Sequence, residues 1–212
     1  TGNLVTLRID DIAAGDYTVN ATYYADNVYS TKYNLTRFSV AKADPNFNIT
    51  AYNVVYGANV TIAPVTTANR GNVNYTIYDK DGNVVASVIK GVSEDFTAWL
   101  NVGTYTVNAT YLGNENYTAV SDIFNVTVDK AASSVEIAVE SIYIIGDSVV
   151  IKLTTENGTA TVQINGNDYP VTDSKVTFTA NATGEYNVVA AIAESDNYYA
   201  SRANATFNII KI

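Results

Sequence analysis

The chain has 212 residues and a net charge of −9, and it contains no His, no Cys and no Met. These absences exclude an imidazole base, a thiolate nucleophile and the His and Cys ligand sets of zinc and iron–sulfur sites. The negative charge argues against nucleic acid as a partner, because phosphates are neutralised by clustered Lys and Arg. Enzyme chemistry could rest only on carboxylates, hydroxyls or Lys. We expect no catalytic residue, no metal site and no cofactor, and we expect that the protein is not an enzyme.

The length allows two domains and part of a third. No run of 18 apolar residues occurs, so we expect no membrane insertion in this segment. Because the chain contains no Met, we also expect that residue 1 is not the initiator and that the segment comes from a longer or processed protein.

An internal repeat organises the chain. Residues 15–23 read Gly-Asp-Tyr-Thr-Val-Asn-Ala-Thr-Tyr, and this pattern recurs at 103–111 and more loosely at 184–192. Each copy is followed by a turn with a Tyr and then by an alternating strand that ends in Lys, at 38–42, 126–130 and 207–211. We interpret residues 1–44 as the C-terminal half of a repeat, and residues 45–132 and 133–212 as complete repeats.

The period inside each repeat is two, which indicates half-buried antiparallel strands. In the middle repeat the predicted strands are 47–52, 59–65, 73–78, 84–89, 95–100, 103–111 and 121–129. The Asp81-Gly82 step predicts a tight hairpin, since Gly adopts positive φ at little cost. About seven short strands in 80–90 residues predict an all-β fold of tandem immunoglobulin-like β-sandwich domains.

One Tyr in each repeat follows closely after a Gly, at the start of the predicted penultimate strand. In immunoglobulin-like sandwiches a Tyr at this place can donate its hydroxyl to the preceding connection, which is the tyrosine corner. The predicted corner residues are Tyr17, Tyr105 and Tyr186.

The Gly-x-Tyr-x-Val-x-Ala-x-Tyr strand, the Asn-x-Asn-Tyr turn and the closing strand ending in Val-x-Lys-Ala resemble bacterial and archaeal Ig-like repeat domains. The Asn-, Thr- and Tyr-rich version without Cys is similar to the adhesin-like surface proteins of methanogenic archaea. This resemblance covers essentially the whole chain. It implies a surface-anchored array of stacked domains that supports cell adhesion, and it supplies no catalytic residues.

The motif Asn-x-Thr, which accepts N-linked glycans in exported proteins, is unusually frequent. Composition alone would give about four or five copies, whereas the chain has eleven. Asn and Thr two apart also share one face of a strand, so a polar solvent face generates the motif without any glycan. The candidate acceptors are Asn20, Asn34, Asn48, Asn59, Asn74, Asn108, Asn116, Asn125, Asn157, Asn181 and Asn204. We expect Asn116 and Asn157, which lie in turns, to be the most accessible.

The outward face of the 184–192 strand is less polar than that of its counterpart at 103–111. It carries Val189 and Ala191 where the middle repeat has Asn108 and Thr110. An apolar outer face needs cover, so we predict an interface with a neighbouring domain or chain there.

The Lys-Ala joints and the half repeat bear on assembly. Lys42 and Lys130 end equivalent strands, and we expect them to be solvated linker lysines. Residues 1–44 are too few for a stable sandwich, so either the segment was cut from a longer array or strands of another chain complete it.

Aromatic residues suggest a carbohydrate-binding alternative, because their faces can stack on sugar rings. A tip patch of Tyr29, Tyr117, Tyr198 and Tyr199 is the candidate for such a surface. Against this, we expect Tyr23, Tyr105 and Tyr111 to face inward, and the only Trp, Trp99, to lie in a core strand.

The sequence therefore favours an extracellular structural or adhesive stalk segment of an archaeal cell-surface glycoprotein. The expected partners are neighbouring repeats of the same or an identical chain, with a host or microbial surface glycan or protein as a further candidate. Two alternatives are a filament subunit whose half repeat is completed by a neighbouring chain, and a carbohydrate-binding accessory module of a secreted enzyme.

Overall fold

The computed structural model describes residues 5–212, and all regular secondary structure within this range is β-strand. No helix in the described range is long and apolar enough to cross a membrane. The all-β prediction is thus confirmed. The dominance of Val, Ile, Thr and Tyr in the strands agrees with the preference of β-branched and aromatic residues for extended backbone.

The first repeat, residues 5–43, contains one antiparallel hairpin. Strand β1 (Gly15–Tyr23) pairs with β2 (Lys32–Val40) over their full length, from Gly15 opposite Val40 to Tyr23 opposite Lys32. These two strands form a sheet of their own. Residues 5–14 form no strand and bend at Asp11, which has a φ of 56°, and at Ala14.

The middle repeat, residues 45–132, contains eight strands in two sheets. They are β3 (Asn48–Ala51), β4 (Val54–Val55), β5 (Val60–Val65), β6 (Asn72–Tyr78), β7 (Val84–Gly91), β8 (Phe96–Ala98), β9 (Gly103–Tyr111) and β10 (Val120–Asp129). One sheet has the order β3-β5-β8 and the other has the order β4-β10-β9-β6-β7.

The third repeat, residues 133–212, has the same number of strands. They are β11 (Ser134–Ala138), β12 (Ile142–Ile144), β13 (Ser148–Glu156), β14 (Ala160–Ile164), β15 (Asn167–Tyr169), β16 (Lys175–Thr179), β17 (Gly184–Ile192) and β18 (Ser201–Ile210). The sheet orders are β11-β13-β16 and β12-β18-β17-β14-β15, which repeat those of the middle repeat strand for strand.

This topology is that of an immunoglobulin-like β-sandwich. The first, third and sixth strands of each complete repeat form one sheet, and the last two pack beside the fourth and fifth in the other. The short strands β4 and β12 pair in parallel with the last strand of their repeat. The sequence pattern missed these two strands, because two or three residues are too few to show alternation.

Alternation along the strands determines which side chains enter the core. In β9 every second residue from Tyr105 to Tyr111 is buried, and in β14 the buried residues are Ala160, Val162 and Ile164. The three buried side chains of β14 belong to the hydrophobic core of the third repeat, which also contains buried residues of β13, β17 and β18. Burial of apolar surface is the main favourable term in folding such a sandwich.

The described chain divides into two compact units. The first contains the residues up to Tyr52 together with Thr61–Ala98 and Thr104–Val126. The second contains Asn53–Val60, Trp99–Gly103 and Thr127–Ile212. The boundaries proposed from the sequence repeat, at residues 44 and 132, are a different division of the chain and stay a prediction.

Candidate functional site

Within the first unit, the chain passes from the first to the middle repeat through a main-chain bridge at Ala43. The N–H of Ala43 donates to the carbonyl oxygen of Asn116 at 2.8 Å, and the carbonyl of Ala43 accepts from the N–H of Thr118 at 3.0 Å. This is a parallel bridge that pairs Ala43 with Tyr117. The joint is thus held by backbone hydrogen bonds.

The side chain of Asn116 adds a third bond to this joint. Its Oδ1 atom accepts from the backbone N–H of Ala14 at 3.0 Å. Asn116 is half-buried, so our expectation that it is among the most accessible Asn-x-Thr sites is wrong. The turn that contains it lies against the Ala14 connection, and the amide oxygen satisfies a backbone donor there.

Within the second unit, the same bonds recur where the middle repeat meets the third. The N–H of Ala131 donates to the carbonyl of Asn197 at 3.0 Å, and the N–H of Tyr199 donates to the carbonyl of Ala131 at 2.9 Å. The Oδ1 atom of Asn197 accepts from the N–H of Val102 at 3.2 Å. Two junctions at different points of the chain therefore use one hydrogen-bond scheme.

The joint lysines also have fixed partners. Lys42 Nζ donates to the carbonyl of Asn114 at 2.6 Å, and Lys130 Nζ donates to the carbonyl of Ser195 at 2.8 Å. Lys130 additionally forms an ion pair with Glu194. The side chain of Lys130 is only 24% exposed, so the expectation of a solvated linker lysine is wrong at this position.

Each repeat has a tight turn before its last strand, which we call the tip turn, at residues 26–29, 114–117 and 195–198. The second and third of these turns lie at the two junctions. A side-chain oxygen at its first position, from Asp26, Asn114 or Ser195, accepts a backbone N–H three residues further on. The backbone N–H of that first residue donates to the carbonyl of the fourth in all three turns. Asp, Asn and Ser favour such turns because their short side chains reach nearby backbone donors.

The corner tyrosines lie near the start of strands β1, β9 and β17. The hydroxyl of Tyr17 donates to the carbonyl of Ala13 at 2.7 Å, and that of Tyr186 donates to the carbonyl of Ala182 at 3.1 Å. Tyr105 is 8% exposed, and burial raises the pKa of its hydroxyl, with the charge of Asp79 adding to the effect. The Gly two residues before each Tyr has a φ of 143–157°, a backbone region essentially open only to Gly.

Most of the candidate glycan acceptors lie on exposed strand faces or turns. The exposed ones are Asn20, Asn34, Asn48, Asn59, Asn125, Asn157, Asn181 and Asn204. The half-buried ones are Asn74, Asn108 and Asn116. Asn157 has positive φ (59°) and is exposed in a turn. The strand-borne acceptors share faces with Thr, which is the arrangement that period-two alternation produces.

Trp99 is 59% exposed, so the expectation that it lies in the core is wrong. It follows strand β8 and packs against Tyr56, with ring centroids 5.7 Å apart and an angle of 68° between the ring planes. The ring of Tyr56 also packs against that of Tyr198, with centroids 5.4 Å apart and an angle of 89° between the planes. These edge-to-face contacts are favourable between aromatic rings. The planes of neighbouring rings in this cluster are therefore far from parallel.

The predicted tip patch of tyrosines divides into two pairs. Tyr29 and Tyr199 are 65% and 53% exposed, whereas Tyr117 and Tyr198 are half-buried beside Ala43 and Ala131. Two of the four residues are therefore backbone partners in the junctions.

Val189 and Ala191 are half-buried and point away from the core of the third repeat, between the buried residues of β17. Polar residues of the adjacent strands flank them, with Gln163 opposite Val189 and Arg202 opposite Ala191. The interface predicted at these two residues stays a prediction.

The inner face of the first hairpin has no second sheet over it in the described chain. Its counterpart β17–β18 buries Val188, Phe207 and Ile209. In the hairpin, by contrast, Tyr23 is 46% and Phe38 is 37% exposed. We expected Tyr23 to face a core, and this is wrong because no facing sheet covers it. The segment 5–12 lies over part of this face and contributes Leu7, Ile9 and Ile12.

The carboxylates of Asp79 and Asp26 accept hydrogen bonds within turns. Asp79 accepts hydrogen bonds from the side chain and backbone of Asn83 and from the backbone of Asp81, and these bonds lower its pKa. The Tyr23 hydroxyl donates to Asp26, which lowers the pKa of Asp26 and raises that of Tyr23. No group of three or more Asp, Glu, His or Cys side chains within residues 5–212 is placed to hold a metal ion.

Sequence reasoning missed Asn116 and Asn197 as junction residues. The signal was present, because the dipeptide Asn-Tyr recurs at 116–117 and 197–198 at the repeat spacing. Such a dipeptide predicts a turn and no more, since a strand pattern does not show that a side chain bonds a residue about 100 positions away.

No family model matches the chain, and no curated protein matches it. Solved structures that it resembles include the fibronectin(III)-like modules of Clostridium thermocellum CbhA, at 12% identity and a TM-score of 0.32, covering 78% of this chain and 93% of that one. The chain also resembles the BSP domain of a biofilm-associated protein, at 14% identity and a TM-score of 0.29. This match covers 77% of this chain and 29% of that one. A third similar structure is Drosophila N-cadherin EC1-4, at 12% identity and a TM-score of 0.34. This match covers 95% of this chain and 58% of that one.

Proposed function

We propose that this segment is a structural stalk of an extracellular surface protein, in which stacked immunoglobulin-like repeats hold an adhesive or other functional part away from the cell. The observation that carries the proposal is the recurrence of one junction scheme at Ala43 and Ala131. Main-chain bridges, an Asn side chain and a Lys at each joint are what a stiff array requires. Flexible Gly- or Ser-rich linkers would behave as random coils instead.

Stiffness is testable by distance measurements between spin labels. The chain has no Cys, so Ser87→Cys and Thr177→Cys introduce two defined labels on exposed positions of β7 and β16. We expect a narrow distance distribution. A matched variant with a flexible Gly-Ser insertion after Lys130 gives a broad one. A parent distribution as broad as that of the insertion variant would contradict the stalk.

The extracellular setting and the archaeal, glycosylated character belong to the same proposal. Eight exposed Asn-x-Thr sites support an exported surface protein. Intact-mass analysis of native material is the test, since glycans add to the mass of the polypeptide, to which these 212 residues contribute 22.8 kDa. A native mass equal to that of the polypeptide removes the glycoprotein part and leaves the stalk untouched.

A second candidate is a filament subunit, and the uncovered inner face of the β1–β2 hairpin favours it. Strands from a neighbouring chain could complete that sandwich by β-strand addition. Light scattering of the purified chain tests this candidate, because complementation predicts oligomers whose size increases with concentration. A monomer at all concentrations contradicts it.

A further inference from the structure

The two junctions share a donor that we call the corner amide, the backbone N–H of the residue before the Gly that opens the penultimate strand. At the first junction this is the N–H of Ala14, bound by Asn116, and at the second it is the N–H of Val102, bound by Asn197. In both cases the acceptor is the third residue of the tip turn in the following repeat. A corner amide together with a joint Lys thus recognises an Asn-containing tip turn.

The third repeat has a corner of the same build. Thr183 precedes Gly184, which has a φ of 143°, and the hydroxyl of Tyr186 donates to Ala182 as that of Tyr17 does to Ala13. Thr183 is exposed, and no described residue accepts from its N–H. The equivalent of the joint lysines is the exposed Lys211.

We propose that this corner, formed by Thr183, Lys211 and the backbone of Ile212, is a docking surface for the tip turn of a further immunoglobulin-like repeat. The proposal rests on the proposed stalk function and names the partner of its next joint. The surface continues a scheme already used twice, at 3.0 and 3.2 Å between the corner amide and the Asn oxygen.

The occupant is a repeat with Asn at the third position of its tip turn, and the first repeat of a second copy does not qualify. That position holds Val28, which is 77% exposed and has no side-chain acceptor for the corner amide. Its turn is otherwise equivalent, since Asp26 accepts from the same backbone donors as Asn114. The scheme therefore favours a complete repeat over head-to-tail joining of identical chains.

The experiment extends the full chain and follows amide hydrogen exchange by NMR. In the extended chain, residues 1–211 are followed by a second copy of residues 131–212, which places a copied Asn197 opposite Thr183. We expect the Thr183 amide to exchange at least about tenfold more slowly than in the parent chain. The amides of Ala14 and Val102 are internal references for a formed junction.

The control is the same extended chain with Asn197→Ala in the appended copy, which should restore the parent exchange rate at Thr183. A second extension with residues 43–132 brings Asn116 to the same place, so the result does not depend on one appended repeat folding. Unchanged exchange of Thr183 in both extensions overturns the proposal. If Ala14 and Val102 are also unprotected in the parent chain, the stalk proposal fails as well, so the two failures are distinguishable.

Discussion

Two buried tyrosines of the middle repeat differ in the hydrogen bonding of their hydroxyl groups. Tyr75 and Tyr111 are both fully buried. The hydroxyl of Tyr111 donates to the carbonyl of Arg70 at 2.8 Å, while the hydroxyl of Tyr75 has no hydrogen-bond partner among the described residues. A buried polar group without a partner is costly, whereas a bonded one contributes a net stabilisation of about 1 kcal/mol.

Removing these two hydroxyls should therefore affect the free energy of unfolding differently. We expect Tyr111→Phe to lower the free energy of unfolding by about 1 kcal/mol and Tyr75→Phe to leave it unchanged or raise it. Urea denaturation followed by fluorescence measures both, and each variant is the control for the other because the volume change is the same. Equal losses of stability in the two variants would contradict the hydrogen-bond assignment.

At the scale of the element, two corresponding hairpins differ in whether a second sheet covers them. The β1–β2 hairpin and the β17–β18 hairpin have the same strand lengths to within one residue and the same antiparallel register. Only the second is covered by another sheet, formed by β11, β13 and β16. Two-stranded hairpins are marginally stable by themselves.

We expect the backbone amides of β1 and β2 to exchange with solvent at least about tenfold faster than those of β17 and β18, because local opening is easier where few apolar groups are buried. Hydrogen exchange by NMR on the whole chain compares the two hairpins in one sample. Equal protection in a solution of monomers would show that residues 5–12 suffice as cover.

Alternation along a strand also makes a prediction for the core of the third repeat. Ile151 in β13 is fully buried and belongs to the core cluster, whereas Ile142 in β12 is 58% exposed. Ile151→Ala should lower the free energy of unfolding by about 2–5 kcal/mol, since it removes apolar contacts and leaves a cavity. Ile142→Ala should change it by less than about 0.5 kcal/mol. Thermal and urea denaturation of the pair would measure the difference.

At the scale of the whole molecule, the absence of His shapes the dependence of stability on pH. Without His, no side chain of ordinary pKa titrates between about pH 5 and 9. Hydrogen bonds lower the pKa of Asp79, so its contribution to stability is present above the unfolded pKa and is lost as pH falls through the folded one. Burial, together with the charge of Asp95, raises the pKa of Tyr75 to about 12.

The expected profile is a plateau of stability between about pH 5 and 9 with a loss at each end. On the alkaline side, the unfolded chain ionises Tyr75 from about pH 10 while the folded chain resists up to about 12, so the free energy of unfolding falls across that interval. Urea midpoints measured from pH 3 to 12 give the profile, and Tyr75→Phe should weaken the alkaline loss. A change of midpoint inside the plateau would contradict the argument.

Much of the architecture was accessible from the sequence because it is local or periodic. Alternation in segments such as 103–111 identifies the strands and their inward residues, and recurrence at the repeat spacing identifies the modules. The tight turn at Asp81-Gly82 follows from the chemistry of those two residues alone. The errors at Trp99, Tyr23 and Asn116 have one cause, since each depends on what lies opposite the residue and not on its own strand.

By itself the sequence determined the all-β class, the repeat and the faces of the strands, because these follow from side-chain size and a period of two. Only the tertiary structure decided how the repeats are joined. The Oδ1 atoms of Asn116 and Asn197 reach backbone donors at Ala14 and Val102, about 100 residues earlier in the chain. Such pairs leave no periodic signal, since a hydrogen bond depends on the distance between two atoms in space.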